Sequence, residues 1–334
     1  MKWSLDNLNY SDNNQFLSID MGERWFFYLL IKFAIKDFLD EREFRQVSKN
    51  TLTNYQVLLK NFHTYCVENE IIDVMEVTPT LIKSYLQSCL KDKHNSPVSI
   101  NTKLTSLKTL FNYLEEIEMI TSKQNPTKKI GYVKTEIKIT TFTDAQIREI
   151  LNYYRRIKTK DKTYFAYRDS MLVTFLLSTG CRLGEMCGVR WLDIDLINKH
   201  IIIFGKLRVQ QGIPIAEPLK KELQEYRIFC EREFKGLPEY IFVNRKAERL
   251  TENAVQNIFK RLKQVMQFKN VRCCAHDFRR YFAKALILQG ADAFTVQRLL
   301  RHSKLDMTLK YVSLYGQDLD KRNEQWNPLH KFDL

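Results

Sequence analysis

Glycine and proline are both scarce, 10 and 7 residues in a chain of 334. So few helix breakers exclude collagen-like and Gly/Pro-rich disordered classes and point to a largely helical protein. Long apolar runs are missing too. The longest spans positions 25–31 and is far too short to cross a bilayer, which needs about 20 residues. The first twenty residues carry Asp6, Asp12 and Asp20, unlike a signal peptide. No Cys-x-x-Cys pair occurs, and the seven cysteines, at 66, 89, 181, 187, 230, 273 and 274, are odd in number and scattered. This excludes a disulfide scaffold and reads as reduced, buried thiols of a cytosolic protein. His63 and Cys66 share a helix face, but no second pair completes a metal site, so no metal is expected.

What is present is basic. Lysine and arginine number 53 against 39 acids, a formal charge of +14. A polyanion is the natural partner, and nucleic acid fits better than a membrane surface. Hydrophobic residues make up 44% and charged residues 28%, ordinary for a globular protein whose length suggests two domains.

Residues 1–22 are polar and read as a loose arm, and the apolar spacing from Glu23 to Phe44 predicts a helix. Further helices are expected over 48–70, from Thr78-Pro79, and from Pro97-Val98-Ser99. The last of these places Ser99, Asn101, Lys103 and Lys108 on an exposed side, where they are candidate DNA contacts. A basic linker over 128–141 carries Lys128, Lys129 and Lys134, further candidates to lie along a phosphate backbone. Thr143-Asp144 opens a second domain over 142–315. Strand patterns fall at 200–204 and 213–215, with a turn through Lys206 between them, and helices otherwise dominate. The segment 316–334 is a tail.

Four segments of the second domain hold polar residues in unusual places. Arg182 falls at a helix junction after Gly180, where unpaired backbone amides favour anions, and Glu185 is spaced to hold its guanidinium. Lys206 lies on the hairpin turn. His276 and Arg279 share a helix face in a basic region that also holds Arg280, a candidate backbone contact. Ser303 and Asp306 predict a helix break, so that His302 ends one helix and Tyr311 rides the next.

Taken together, Arg182 within Thr-Gly-x-Arg-x-x-Glu, Lys206, His276-x-x-Arg279, His302 and Tyr311 stand in an order that resembles the tyrosine recombinases of the lambda-integrase type. The likeness covers about residues 140–315, and 45–127 resembles that family's helical core-binding domain. Two departures stand out: Arg301 precedes His302 where the family usually has glycine, and Val209-Gln210-Gln211-Gly212 replaces a basic run after the lysine. The resemblance implies a mainly α fold with a small antiparallel β-sheet in the catalytic domain, arranged as a two-domain DNA clamp with 1–44 as an N-terminal arm.

It also implies a chemistry without metal, ATP or other cofactor. Tyr311 would be the nucleophile, forming a 3′-phosphotyrosyl link. Arg182 and Arg279 would neutralise charge growing on the phosphate as forked donors. His276 is the candidate base, His302 a phosphate donor, and Lys206 the acid for the leaving 5′-oxygen. Tyr315, one turn beyond Tyr311, is a rival nucleophile. The implied partners are double-stranded recombination sites, a homotetramer on two sites formed by exchange of the tail, and accessory DNA-bending proteins, in the cytoplasm at the nucleoid. A mobile-element integrase, a chromosome or plasmid dimer resolvase, a type IB topoisomerase and a catalytically silent architectural protein remain as alternatives.

Overall fold

The computed structural model describes residues 8–10, 16–20, 25–135, 140–204 and 210–316. The chain divides into two compact units, 1–136 and 137–334.

The first unit opens with three strands, β1 (Leu8–Tyr10), β2 (Phe16–Asp20) and β3 (Trp25–Leu29), paired as an antiparallel meander. This corrects two expectations. Part of the region read as a loose arm is strand, and the helix read from Glu23 starts only at Ile31. Positions 25–29 satisfy helical spacing, but 25–28 are a continuous aromatic run, and such residues favour a pleated strand.

Four helices follow: α1 (Ile31–Phe44), α2 (Lys49–Glu68), α3 (Pro79–Lys91) and α4 (Pro97–Glu116). The hydroxyls of Ser48, Thr78 and Ser96 accept from Thr51, Leu81 and Ser99 amides and cap three of them. Pro79 and Pro97 occupy first turns, where no amide hydrogen is needed. Phe38 of α1 is fully buried in one core with Leu59, Phe62, Tyr85 and Phe111. The helical body therefore begins at Ile31 rather than at residue 45. The core also takes in Ile130, so the start of the stretch read as a linker is packed down.

The second unit begins with α5 (Asp144–Asp161), capped by Thr143, and α6 (Tyr164–Thr179), which ends at Gly180. Short α7 (Leu183–Cys187) leads to an antiparallel sheet of β4 (Ile194–Asp195), β5 (His200–Phe204) and β6 (Gln210–Pro214). Ile201 and Ile203 point into the core while Ile202 and Phe204 are exposed, the alternation of a half-buried strand. Then come α8 (Glu217–Phe234), α9 (Glu252–Met266), α10 (Ala275–Leu288), α11 (Ala293–Leu300) and α12 (Asp306–Tyr315). The break between the last two falls where it was read, but Leu305 is the cap residue and Asp306 is already helical.

Two cores serve this unit. The larger surrounds α6. A smaller one joins α10, α11 and α12 through Ala283, Ile287, Val296, Leu300 and Tyr311. No helix among the described residues is long and apolar enough to cross a membrane.

Candidate active site

The site is built where four helix ends meet. Gly180 ends α6 at φ +57°, and an added Cβ would stand 2.5 Å from a Phe282 ring carbon. Glycine is thus required twice over, for the left-handed turn and for the close approach of α10. The turn aims Arg182 onto α7, where its backbone amide donates to Glu185 Oε2 (3.0 Å) and its Nη1 to Oε1 (2.7 Å). The Arg182 side chain stays 40% exposed, held but open to a ligand.

Arg279 is 3% exposed on α10. It donates to the Gly180 carbonyl at 2.7 Å and the Leu300 carbonyl at 2.5 Å, tying the α6 turn to the end of α11. Arg182 Nη2 donates to the next carbonyl, Arg301, at 3.3 Å. A helix C-terminus leaves carbonyls unpaired and carries partial negative charge, which suits guanidiniums.

His302 follows, 8% exposed, with Nδ1 2.8 Å from the Thr308 hydroxyl. Its ring lies nearly parallel to that of Tyr311, at 13° and 6.4 Å between centroids. Tyr311 is 7% exposed, its ring seated in the smaller core. Tyr315 is half-buried one turn on, its hydroxyl raised by burial and by Tyr311.

The electrostatics follow from crowding cations around few acids. Burial and the guanidiniums of Arg279, Arg182 and Arg301 push His302 down to about 4. Burial, with Arg182 and Arg301 nearby, lowers Arg279 to about 10. His276 keeps an exposed edge, yet the surrounding protein and the charges of Arg280 and Arg279 hold it below the usual imidazole range. Glu185 is held below the carboxylate range: burial works against its charge, but the Arg182 amide and the Arg301 and Arg182 guanidiniums outweigh it. A cavity of about 580 Å³ opens beside these groups, lined by Arg182, His276 and Arg279 and also by Lys260, Lys263 and Arg272. Among the described residues no carboxylate lines it, so its chemistry suits a polyanion.

The structure therefore brings together Arg182, Glu185, Arg279, His302 and Tyr311, with His276 on the cavity wall. Lys206 lies outside the described residues. The bond between Thr308 and His302 joins α12 to the end of α11 and is not apparent from sequence order alone. Arg301, read as a departure, joins the cluster as a third guanidinium.

Most candidate DNA contacts are otherwise engaged. Lys103 is 9% exposed, its ammonium 6.0 Å from the Tyr85 ring centre, because it shares the buried face of α4 with Ile100 and Leu104. Asn101 exchanges two 2.8 Å hydrogen bonds with the Val133 backbone. Lys108 lies 4.7 Å from the Tyr132 ring centre, and Lys128 pairs with Glu115 at 2.7 Å. Arg280 braces the Thr140 carbonyl and Asp277 rather than facing solvent. Ser99 bonds with Ser96 at the α4 cap, while Lys129 and Lys134 are exposed. As for metals, Cys66 is fully buried with its thiol raised to about 12, and no group of three ligating residues occurs among the described residues.

The model of the phage integrase family matches residues 140–317, and that of the phage integrase N-terminal SAM-like domain matches 35–116. The chain belongs to the phage integrase family: it is a tyrosine recombinase, an enzyme that cleaves and rejoins DNA. Tyrosine recombinase XerC of Treponema denticola is 28% identical over 298 residues, covering 85% of this chain and 94% of that protein. Among solved structures, the Tn1549 transposon integrase with transposon right end DNA is similar at a TM-score of 0.71 and 18% identity, covering 89% of this chain and 99% of that one. XerH site-specific recombinase bound to a palindromic difH substrate gives 0.65 at 19% identity, covering 90% and 85%. These two likenesses confirm the mainly helical, two-domain fold.

Proposed function

We propose that this chain is a site-specific recombinase that uses Tyr311 as its nucleophile. The observation that carries the reading is the convergence of Arg182, Arg279 and His302 at the end of α11, beside the Tyr311 ring. The tyrosyl oxygen attacks the scissile phosphorus, the new O–P bond forms, and the bond to the 5′-oxygen breaks. Arg182 and Arg279 stabilise the charge that grows on the non-bridging oxygens. His276, held neutral by its surroundings, accepts the tyrosyl proton. His302 is neutral near pH 7, and in the tautomer whose Nδ1 accepts from Thr308 its Nε2–H donates to the phosphate. Lys206 gives the leaving 5′-oxygen its proton. The phosphotyrosyl link keeps the bond energy, so rejoining reverses the step without ATP.

The test uses a nicked duplex carrying a site selected by the purified chain from a randomised pool. Wild type is expected to form a covalent adduct that survives denaturing electrophoresis, and Tyr311→Phe none. An adduct in both would move the nucleophile to Tyr315. Tight binding with no adduct in either would favour an architectural role.

Two biological roles compete. The residues ahead of the SAM-like match at 35 favour a mobile-element integrase. The relatives named XerC favour dimer resolution. Sequencing the genomic sites trapped as adducts separates them, since ends of an inserted element support the first and a single chromosomal site the second. We further propose that the two units clamp duplex DNA, with Lys129, Lys134, Lys260, Lys263 and Arg272 near the backbone. Assembly as a tetramer on two sites, helped by DNA-bending proteins, in the cytoplasm at the nucleoid, follows from the same reading.

A further inference from the structure

Arg301 occupies a position that glycine would fill more easily. Its φ is +56°, in the left-handed region, and its side chain is 5% exposed among other cations. Nη2 donates to Glu185 Oε2 at 3.0 Å and Nη1 to the Leu299 carbonyl at 2.8 Å, while Nε is buried without a hydrogen-bond partner. Three successive carbonyls, of Leu299, Leu300 and Arg301, thus receive Arg301, Arg279 and Arg182 in turn. Glu185 is divided between two guanidiniums, Oε1 to Arg182 and Oε2 to Arg301.

A left-handed arginine and a buried charge beside like charges both cost stability. The left-handed φ alone does not set Arg301 apart, since α5, α8 and α9 also end on left-handed Lys162, Lys235 and Gln267, but the burial of its charge beside other guanidiniums does. We propose that Arg301 is a positioning residue for strand cleavage: by sharing Glu185 it fixes the Arg182 guanidinium and keeps that carboxylate from cancelling its charge toward the phosphate. With Arg301 the cluster holds three guanidiniums to one carboxylate, and without it two to one. The inference rests on Arg182 acting as a phosphate clamp.

The experiment is single-turnover cleavage of the nicked duplex at saturating enzyme, with DNA affinity measured separately. Arg301→Gly relieves the backbone strain and should fold and bind DNA within about threefold of wild type. Its cleavage is expected to slow roughly ten- to hundredfold, somewhat less than loss of a direct donor. Arg301→Lys keeps the charge but cannot bridge both acceptors, and should recover part of the rate. Because Arg301 acts through Glu185, the Glu185→Gln/Arg301→Gly double variant should be no slower than the slower single variant. Arg301→Gly cleaving within twofold of wild type, or effects that multiply in the double variant, would overturn the proposal. A wild-type chain that binds but forms no adduct would instead remove the catalytic reading beneath it.

Discussion

His302 sits where its charged form is disfavoured, and this sets a sign for stability against pH. Its folded value is about 4 against an ordinary 6.5, so the unfolded chain takes up the proton first as pH falls. The DNA-free chain should be least affected above pH 6.5 and lose stability progressively down to about 4, by up to roughly 2–3 kcal/mol from this group. Denaturant melts across that range should show the slope in wild type and a shallower one in His302→Gln. Thr308→Val removes the hydroxyl that fixes the imidazole. Cleavage at saturating DNA should fall about tenfold or more, the scale of a disturbed proton donor, with affinity little changed. At this scale Arg182, His276, Arg279, His302 and Tyr311 stood out only through the resemblance of their order to a known family, since each residue type singly fits an ordinary surface or core position. The engagement of Arg301 was not legible, since its role depends on a carboxylate 116 positions away that only folding brings near. Lys103 misled for the opposite reason: an ammonium on a long stem lies over an aromatic ring while its stem fills a core position.

The turn at Gly180 joins α6, α7, α10 and α11, so it concentrates the sensitivity of several elements in one residue. Gly180→Ala should destabilise by about 2–4 kcal/mol, from left-handed strain and the clash with Phe282 together. It should also slow cleavage, because the same carbonyl holds Arg279. Thermal melting and single-turnover cleavage read the two effects. Helix starts were readable wherever a hydroxyl preceded the first turn, as at Ser48, Thr78 and Thr143, because capping is a local interaction. The β1–β3 meander was not. Its pairing is set between segments, and the run at 25–29 fits either period until its partner strand decides.

Across the whole chain, the excess of fourteen positive charges was the first pointer to its substrate, and the carboxylate-free cavity shows where part of it is spent. DNA affinity should fall steeply and linearly on a log–log plot against salt, since each neutralised phosphate releases counterions. A titration between 50 and 200 mM salt checks this as a drop of roughly a thousandfold for about six phosphate contacts. The two-unit organisation followed from length and the change of composition near residue 130, but the boundary of the helical body at Ile31 depended on packing that no local pattern reveals. The small second core has a consequence of its own. Since α12 is anchored through it rather than through the main core, the helix bearing Tyr311 can open while the main core stays closed. Such an opening costs only a fraction of the global unfolding free energy, so its amides should exchange with deuterium well before those of α6. The residue that would carry the covalent bond thus shares its core with α10, which carries Arg279, and α11, which leads into His302, and stands apart only from the main core around α6.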